Sequence, residues 1–261
     1  MLNKLLKHEF AATGRFLVPM YLLLLVIAFF DRLVLNFDIF HGVLNVVPAF
    51  LTMAYVVSII AIIVVTFVLL VMRFYRNLLG DEGYLMFTLP VRPDQLITTK
   101  LISSMIWTFL SILVVVISLM IAFSNPELMQ KIAEGFRETM NELYRVFGGN
   151  ATLLIIELVL IVLFGGAMNI LMVYLSIAFG QLFNGHRVLG SFLSYVGIYT
   201  VTQIVVSLII GVGSLYFREP LETIETVPQI LLPCAILVMA VISAVYYFFI
   251  NYIFKRKLNL E

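Results

Sequence analysis

Apolar positions in this chain fall into long unbroken runs separated by short polar stretches, with neither the alternation of a half-buried strand nor the one-faced spacing of a surface helix. A helix needs about 20 apolar residues to cross roughly 30 Å of hydrocarbon. Six runs reach that length, at about residues 16–35, 48–72, 101–123, 151–183, 188–213 and 230–254. The first is the weakest, because Asp31-Arg32 interrupts it near its far end. The fourth is the longest; as one helix, at about 1.5 Å per residue, it reaches roughly 50 Å. It either projects beyond the bilayer, ending at Gln181 and the turn FNGHR, or bends at Gly165-Gly166. The pattern predicts an all-α fold: a polytopic integral membrane protein with six transmembrane helices in a single transmembrane domain over residues 1–261.

Composition sharpens this. Of the 261 residues 62% are hydrophobic and 12% charged, with a mean hydropathy of +1.10. Soluble domains run near half apolar and about a quarter charged, so a water-soluble core is excluded. A net charge of +1, with no basic run longer than Lys255-Arg256-Lys257, offers nothing to a nucleic acid. The single cysteine, Cys234, permits no intrachain disulfide. The start, MLNKLLKHEF, has too long a polar part for a secretory signal, and no small-residue cleavage site follows the first apolar run.

Charge placement orients the spans. Six crossings put both termini on one side, with the loop 73–100 and the turn 184–187. That side carries Lys4, Lys7, Arg15, Arg73, Arg76, Arg92, Lys100, Arg187, Lys255, Arg256 and Lys257; the other carries Arg32, Lys131, Arg137, Arg145 and Arg218. Eleven basic residues against five place both termini in the cytoplasm of a multi-pass cell-membrane protein. Tyr246, Tyr247, Phe248, Phe249, Tyr252 and Phe254, just before the final KRK, form an aromatic belt at the same interface.

On the outer side, apolar residues at Met129, Ile132, Ala133, Phe136, Met140, Leu143 and Phe147 keep helical spacing between Pro126 and Gly148-Gly149. This predicts an outer amphipathic helix over 127–147, lying on the membrane, packed on a partner, or serving as a lid between two spans.

No G-x-x-x-x-G-K-[ST] occurs, nor H-E-x-x-H or a Cys/His cluster, so the chain has no P-loop, metal or cofactor motif of its own. His8, His41 and His186 sit in different regions. GVGS at Gly211–Ser214 lacks a histidine in a neighbouring span at matching depth, so no catalytic residue is assigned. Among polar residues inside the spans, Glu157 stands out in a continuous apolar run, where a carboxylate must be paired, protonated or facing water unless it snorkels to the outer interface. The fifth span is the most polar, with Tyr195, Tyr199 and Gln203 among its residues, and it reads either as a path lining or as a dimer seam.

The stretch 73–100 has too much organisation for a plain connection. Arg73 and Arg76 end the second span, and Gly80 and Gly83 bracket Asp81-Glu82. Tyr84, Leu85, Phe87 and Leu89 form a short aromatic-apolar segment closed by Pro90 and Pro93, and Asp94-Gln95 then open a helix into the third span. This reads as a docking surface, with a plain connection between two spans as the alternative.

The segment DEGYLMFTLPVRPDQLITTKL, Asp81–Leu101, resembles the cytoplasmic signature of the permease subunits of bacterial type 2 ABC exporters: Glu82-Gly83 before an aromatic helix, a T-L-P turn at Thr88–Pro90, and a Lys-Leu pair at Lys100-Leu101. The six-span plan with both ends inside is similar to that family, as is a short amphipathic N-terminal segment (Leu2, Leu5, Leu6, Phe10) along the membrane. The motif covers about twenty residues. Two features depart from the family: only Ser214–Gln229 is available where re-entrant helices usually stand, and the outer helix is not general to it.

The resemblance implies a coupling loop at 73–100, docked through Glu82, Tyr84, Leu85, Phe87 and Leu89 on a separate ABC ATPase subunit that holds ATP and Mg, with Arg73, Arg76 and Arg92 orienting the loop against phospholipid or acidic partner residues. It implies a second permease subunit, identical or different, and an amphipathic cargo such as a peptide or lipid-like molecule. The alternatives are a proton-coupled secondary transporter using Glu157, or a membrane sensor or immunity protein in which helix 127–147 binds a ligand.

Overall fold

The computed structural model describes residues 2–37, 46–79, 92–183, 185–216 and 227–256. These form α1 (Leu2–Phe37), α2 (Val46–Leu79), α3 (Pro93–Ala122), α4 (Pro126–Phe147), α5 (Ala151–Gly180), α6 (Arg187–Tyr216) and α7 (Leu232–Arg256). A 3-10 turn, Gly148–Asn150, joins α4 to α5, and a π-helical turn, Val227–Leu231, leads into α7. Among the described residues, six helical stretches are long and apolar enough to cross a membrane. They coincide with the six predicted runs, and the protein is all-α with membrane-spanning architecture.

Helix ends differ from the apolar runs where polar residues favour helix. The 36 residues of α1 make a helix of roughly 54 Å at about 1.5 Å per residue. The expected short N-terminal segment is therefore the first part of α1 itself. Nothing between Leu2 and Phe16 breaks the helix; the one glycine there, Gly14, faces Trp107, whose ring atoms would lie 3.3 Å from an added Cβ. A helix of that length exceeds the roughly 30 Å of hydrocarbon, so the charged portion before Phe16 lies outside it. α5 runs unbroken through Gly165-Gly166, where the Asn169 amide donates to the Gly165 carbonyl at 2.8 Å. The amphipathic helix expected over 127–147 is α4, and none of its residues is buried.

The chain divides into two compact units, 1–73 with 98–135 and 74–97 with 136–261. In the first, α1, α2 and α3 enclose Leu17, Tyr21, Leu24, Ala28, Tyr55, Ile62, Leu70, Trp107 and Val114. Hydroxyl groups stitch this core. Tyr21 Oη and Ser111 Oγ are 2.6 Å apart, Thr66 Oγ1 and Ser111 Oγ 3.0 Å, and Tyr55 Oη and Ser118 Oγ 3.1 Å. The Thr52 hydroxyl donates to Asp31 Oδ1 at 2.8 Å, which explains how Asp31 is carried in an apolar helix. Apolar burial drives little association in lipid, so interhelical hydrogen bonds of about 0.6–2 kcal/mol each hold such bundles.

In the second unit α5 packs against both α6 and α7. The turn between α5 and α6 is glycine-dependent. Gly185 has φ +94°, a left-handed conformation that other residues adopt only with strain. A Cβ on Gly180 would sit 2.6 Å from the backbone of Ser191. Gly180→Ala is therefore expected to lower the thermal stability of the detergent-solubilised protein, by about 1–3 kcal/mol from overpacking. Gly197→Ala, where nothing lies within 4 Å, should leave the unfolding midpoint unchanged, and equal midpoints for both variants would refute the close approach.

Candidate functional site

The loop 73–100 begins and ends on charges that the first unit buries. Arg73 sits near the end of α2 and Lys100 near the start of α3, and both reach one carboxylate on α1. Arg73 Nε donates to Glu9 Oε1 at 2.9 Å and Lys100 Nζ donates to Glu9 Oε2 at 2.7 Å. Glu9 is 8% exposed and Lys100 4%. The Glu9 backbone carbonyl also accepts from the Thr13 hydroxyl at 2.9 Å.

Each group has a local reason to be there. Glu9 lies N-terminal to the apolar run of α1. Arg73 follows the apolar run of α2, and Lys100 falls on the face of α3 that carries the buried Ser103, Ser104, Ser111 and Ser118. The hydrogen bonds from Arg73 and Lys100 balance the buried Glu9 carboxylate. The cluster clamps three helices, α1, α2 and α3, together. Arg73 thus pairs within its own chain, through a carboxylate that sequence reading passed over. Glu9 gave no local signal, since a lone acid among Lys4, Lys7 and Arg15 reads as a solvated face.

The same loop has stems in the second unit, to which residues 74–97 belong. Phe74 is fully buried and stacks on Tyr174 of α5, ring centroids 3.7 Å apart and planes within 6°. Phe254 of α7 lies 6.1 Å from Phe74, centroid to centroid. At the start of α3, the Tyr247 hydroxyl donates to the Asp94 carbonyl at 3.0 Å, and Lys255 Nζ lies 3.1 Å from Asp94 Oδ1. α2 and α3 each continue covalently from one unit into the other at this level.

Of the loop-orienting arginines, Arg76 and Arg92 are exposed, and the Arg92 carbonyl accepts the Gln95 N–H at 2.9 Å. Glu82, Tyr84, Leu85, Phe87 and Leu89 lie outside the described residues.

The four candidate pathway residues do not form one cluster. Glu157, on α5, is 7% exposed, and its Oε2 has no hydrogen-bond partner among the described residues. Tyr195 and Tyr199 are stacked on one face of α6, centroids 6.4 Å apart, and both are exposed. Gln203, one turn further along α6, lines a cavity of about 460 Å³ between α6 and α7. Neither Glu157 nor the two tyrosines border it.

Among the described residues no group of three or more His, Cys, Asp or Glu side chains could hold a metal. No family model, curated protein or solved structure matches this chain.

Glu9→Gln removes the counter-charge from a buried lysine and is expected to cost about 3–5 kcal/mol, read as a drop in unfolding midpoint at neutral pH. An unchanged midpoint would refute the clamp.

Proposed function

We propose that this chain is the membrane-spanning permease subunit of an ATP-driven exporter of the type 2 ABC class, moving an amphipathic peptide or lipid-like cargo. The carrying observation is the Glu9 clamp. The loop 73–100, read as a coupling element, rises from two helices whose charged ends, Arg73 and Lys100, are both fastened to α1. Force applied to such a loop reaches three helices together, which is what a coupling element must do. A chain without a nucleotide site can pump only if another subunit's two states bias its own.

In this reading both termini are cytoplasmic and the chain sits in the cell membrane. It pairs with a second permease subunit, and ATP and Mg are held by two ABC ATPase subunits. Glu82, Tyr84, Leu85, Phe87 and Leu89 seat the loop on the ATPase, and the exposed Arg76 and Arg92 orient it against phospholipid or acidic partner residues.

A second reading is favoured by one observation, the buried Glu157 with an unpartnered carboxylate oxygen. Such a group inside a spanning helix suits a proton-coupled site. Loss of pH-driven flux in Glu157→Gln, without any ATPase subunit present, would support it.

The test is a mild-detergent pull-down from cells expressing the chain with its native neighbours. A stoichiometric ATP-binding subunit is expected to co-elute, and to be lost when Leu85→Glu and Phe87→Glu are combined while membrane insertion is kept. Unchanged co-elution of the double variant, or a chain that purifies with no such subunit, would overturn the exporter reading.

A further inference from the structure

The cavity in the second unit has an unusual wall. Met168 comes from α5, Gln203 and Val206 from α6, and Cys234, Val238 and Met239 from α7. Its volume of about 460 Å³ falls within the roughly 300–1,000 Å³ of small-molecule sites. Among the described residues no charged side chain borders it, so these residues offer a charged group no counter-ion, and the flexible thioethers of Met168 and Met239 suit an alkyl chain of variable path.

Two polar groups interrupt the apolar wall. The Thr202 hydroxyl is already engaged, donating to the Ile198 carbonyl at 2.7 Å and paired with the Tyr246 hydroxyl. The Gln203 amide is exposed and has no hydrogen bond among the described residues. It stands about midway along α6, at a depth where hydrocarbon offers no water to satisfy it. An amide with two donors and an acceptor in that position is incomplete without a polar partner.

We propose that this cavity binds a single-chain amphiphile, its alkyl chain lying between α6 and α7 and its amide or hydroxyl group paired with Gln203. The described wall, apolar apart from Thr202 and Gln203, favours a neutral head on an aliphatic chain over a fatty-acid carboxylate. The site goes beyond the exporter reading and does not depend on it, since no residue of the loop 73–100 takes part.

The test uses the purified full chain in nanodiscs with no ATPase subunit, and radiolabelled cis-9-octadecenamide as probe. Saturable binding is expected, and the hydrocarbon of the same chain length should displace the probe about five to ten times less well, the worth of one neutral hydrogen bond. Gln203→Leu should abolish that preference while keeping the hydrocarbon's affinity. Val238→Trp, which fills the cavity, should abolish binding. In the unmodified protein the amide should also slow alkylation of Cys234 by N-ethylmaleimide, a readout that needs no variant to fold. Absence of saturable binding, a preference that survives Gln203→Leu, or an unchanged Cys234 rate would each overturn the proposal. Because no ATPase is present, a negative result here leaves the exporter reading untouched, and the converse holds too.

Discussion

A carboxylate removed from water must be neutralised by groups that reach it, and in this protein those groups come from two other helices. Glu9 on α1 is buried against Arg73 and Lys100, and its carboxylate answers the charge of both. Registration of α1 against α2 and α3 follows from this mutual requirement: sliding any one helix by a turn would separate the charges by about 5 Å. The hydroxyl pairs further along the bundle, Tyr21 with Ser111 and Tyr55 with Ser118, then fall into place on the same faces. In lipid, where apolar contact discriminates poorly between alternative packings, such pairings supply the specificity that a hydrophobic core supplies in water.

The two units manage polarity in opposite ways. The first buries its polar groups and pairs most of them inside the bundle, leaving apolar side chains such as Phe50, Phe67 and Phe109 on the outside. In the second, α6 carries Tyr195, Tyr199 and Gln203 exposed, and a cavity stands between α6 and α7. The described ends of the segment 74–97 belong to the second unit, and α2 and α3 each continue into the first.

Much of this was legible in the sequence, for a plain reason. Crossing a bilayer imposes length and apolarity residue by residue, so six runs announce six helices, and the 3.6-residue spacing from Met129 to Phe147 announces α4. The helix opened by Asp94 was equally visible, since an acidic first turn after proline is a local signal. Glu9 was not, because its role is set by residues more than sixty positions away. The continuous α1 was missed because charges that end an apolar run do not end a helix. Tyr195, Tyr199 and Gln203 stood out in the sequence only as polar residues of one apolar span. Which of them would border a cavity depends on where α7 packs, and periodicity carries no information about that.

α4 has a consequence of a different kind. A helix that buries none of its residues is not held by the rest of the fold, so its amino acids are not fixed by neighbours that each must fit. What persists under such conditions is a rhythm, apolar on one side and charged on the other, with the identities at each beat interchangeable. Among descendants of this gene, 126–147 should therefore be the stretch where letters drift fastest while the pattern stands still, and where a few added turns would be inherited without harm.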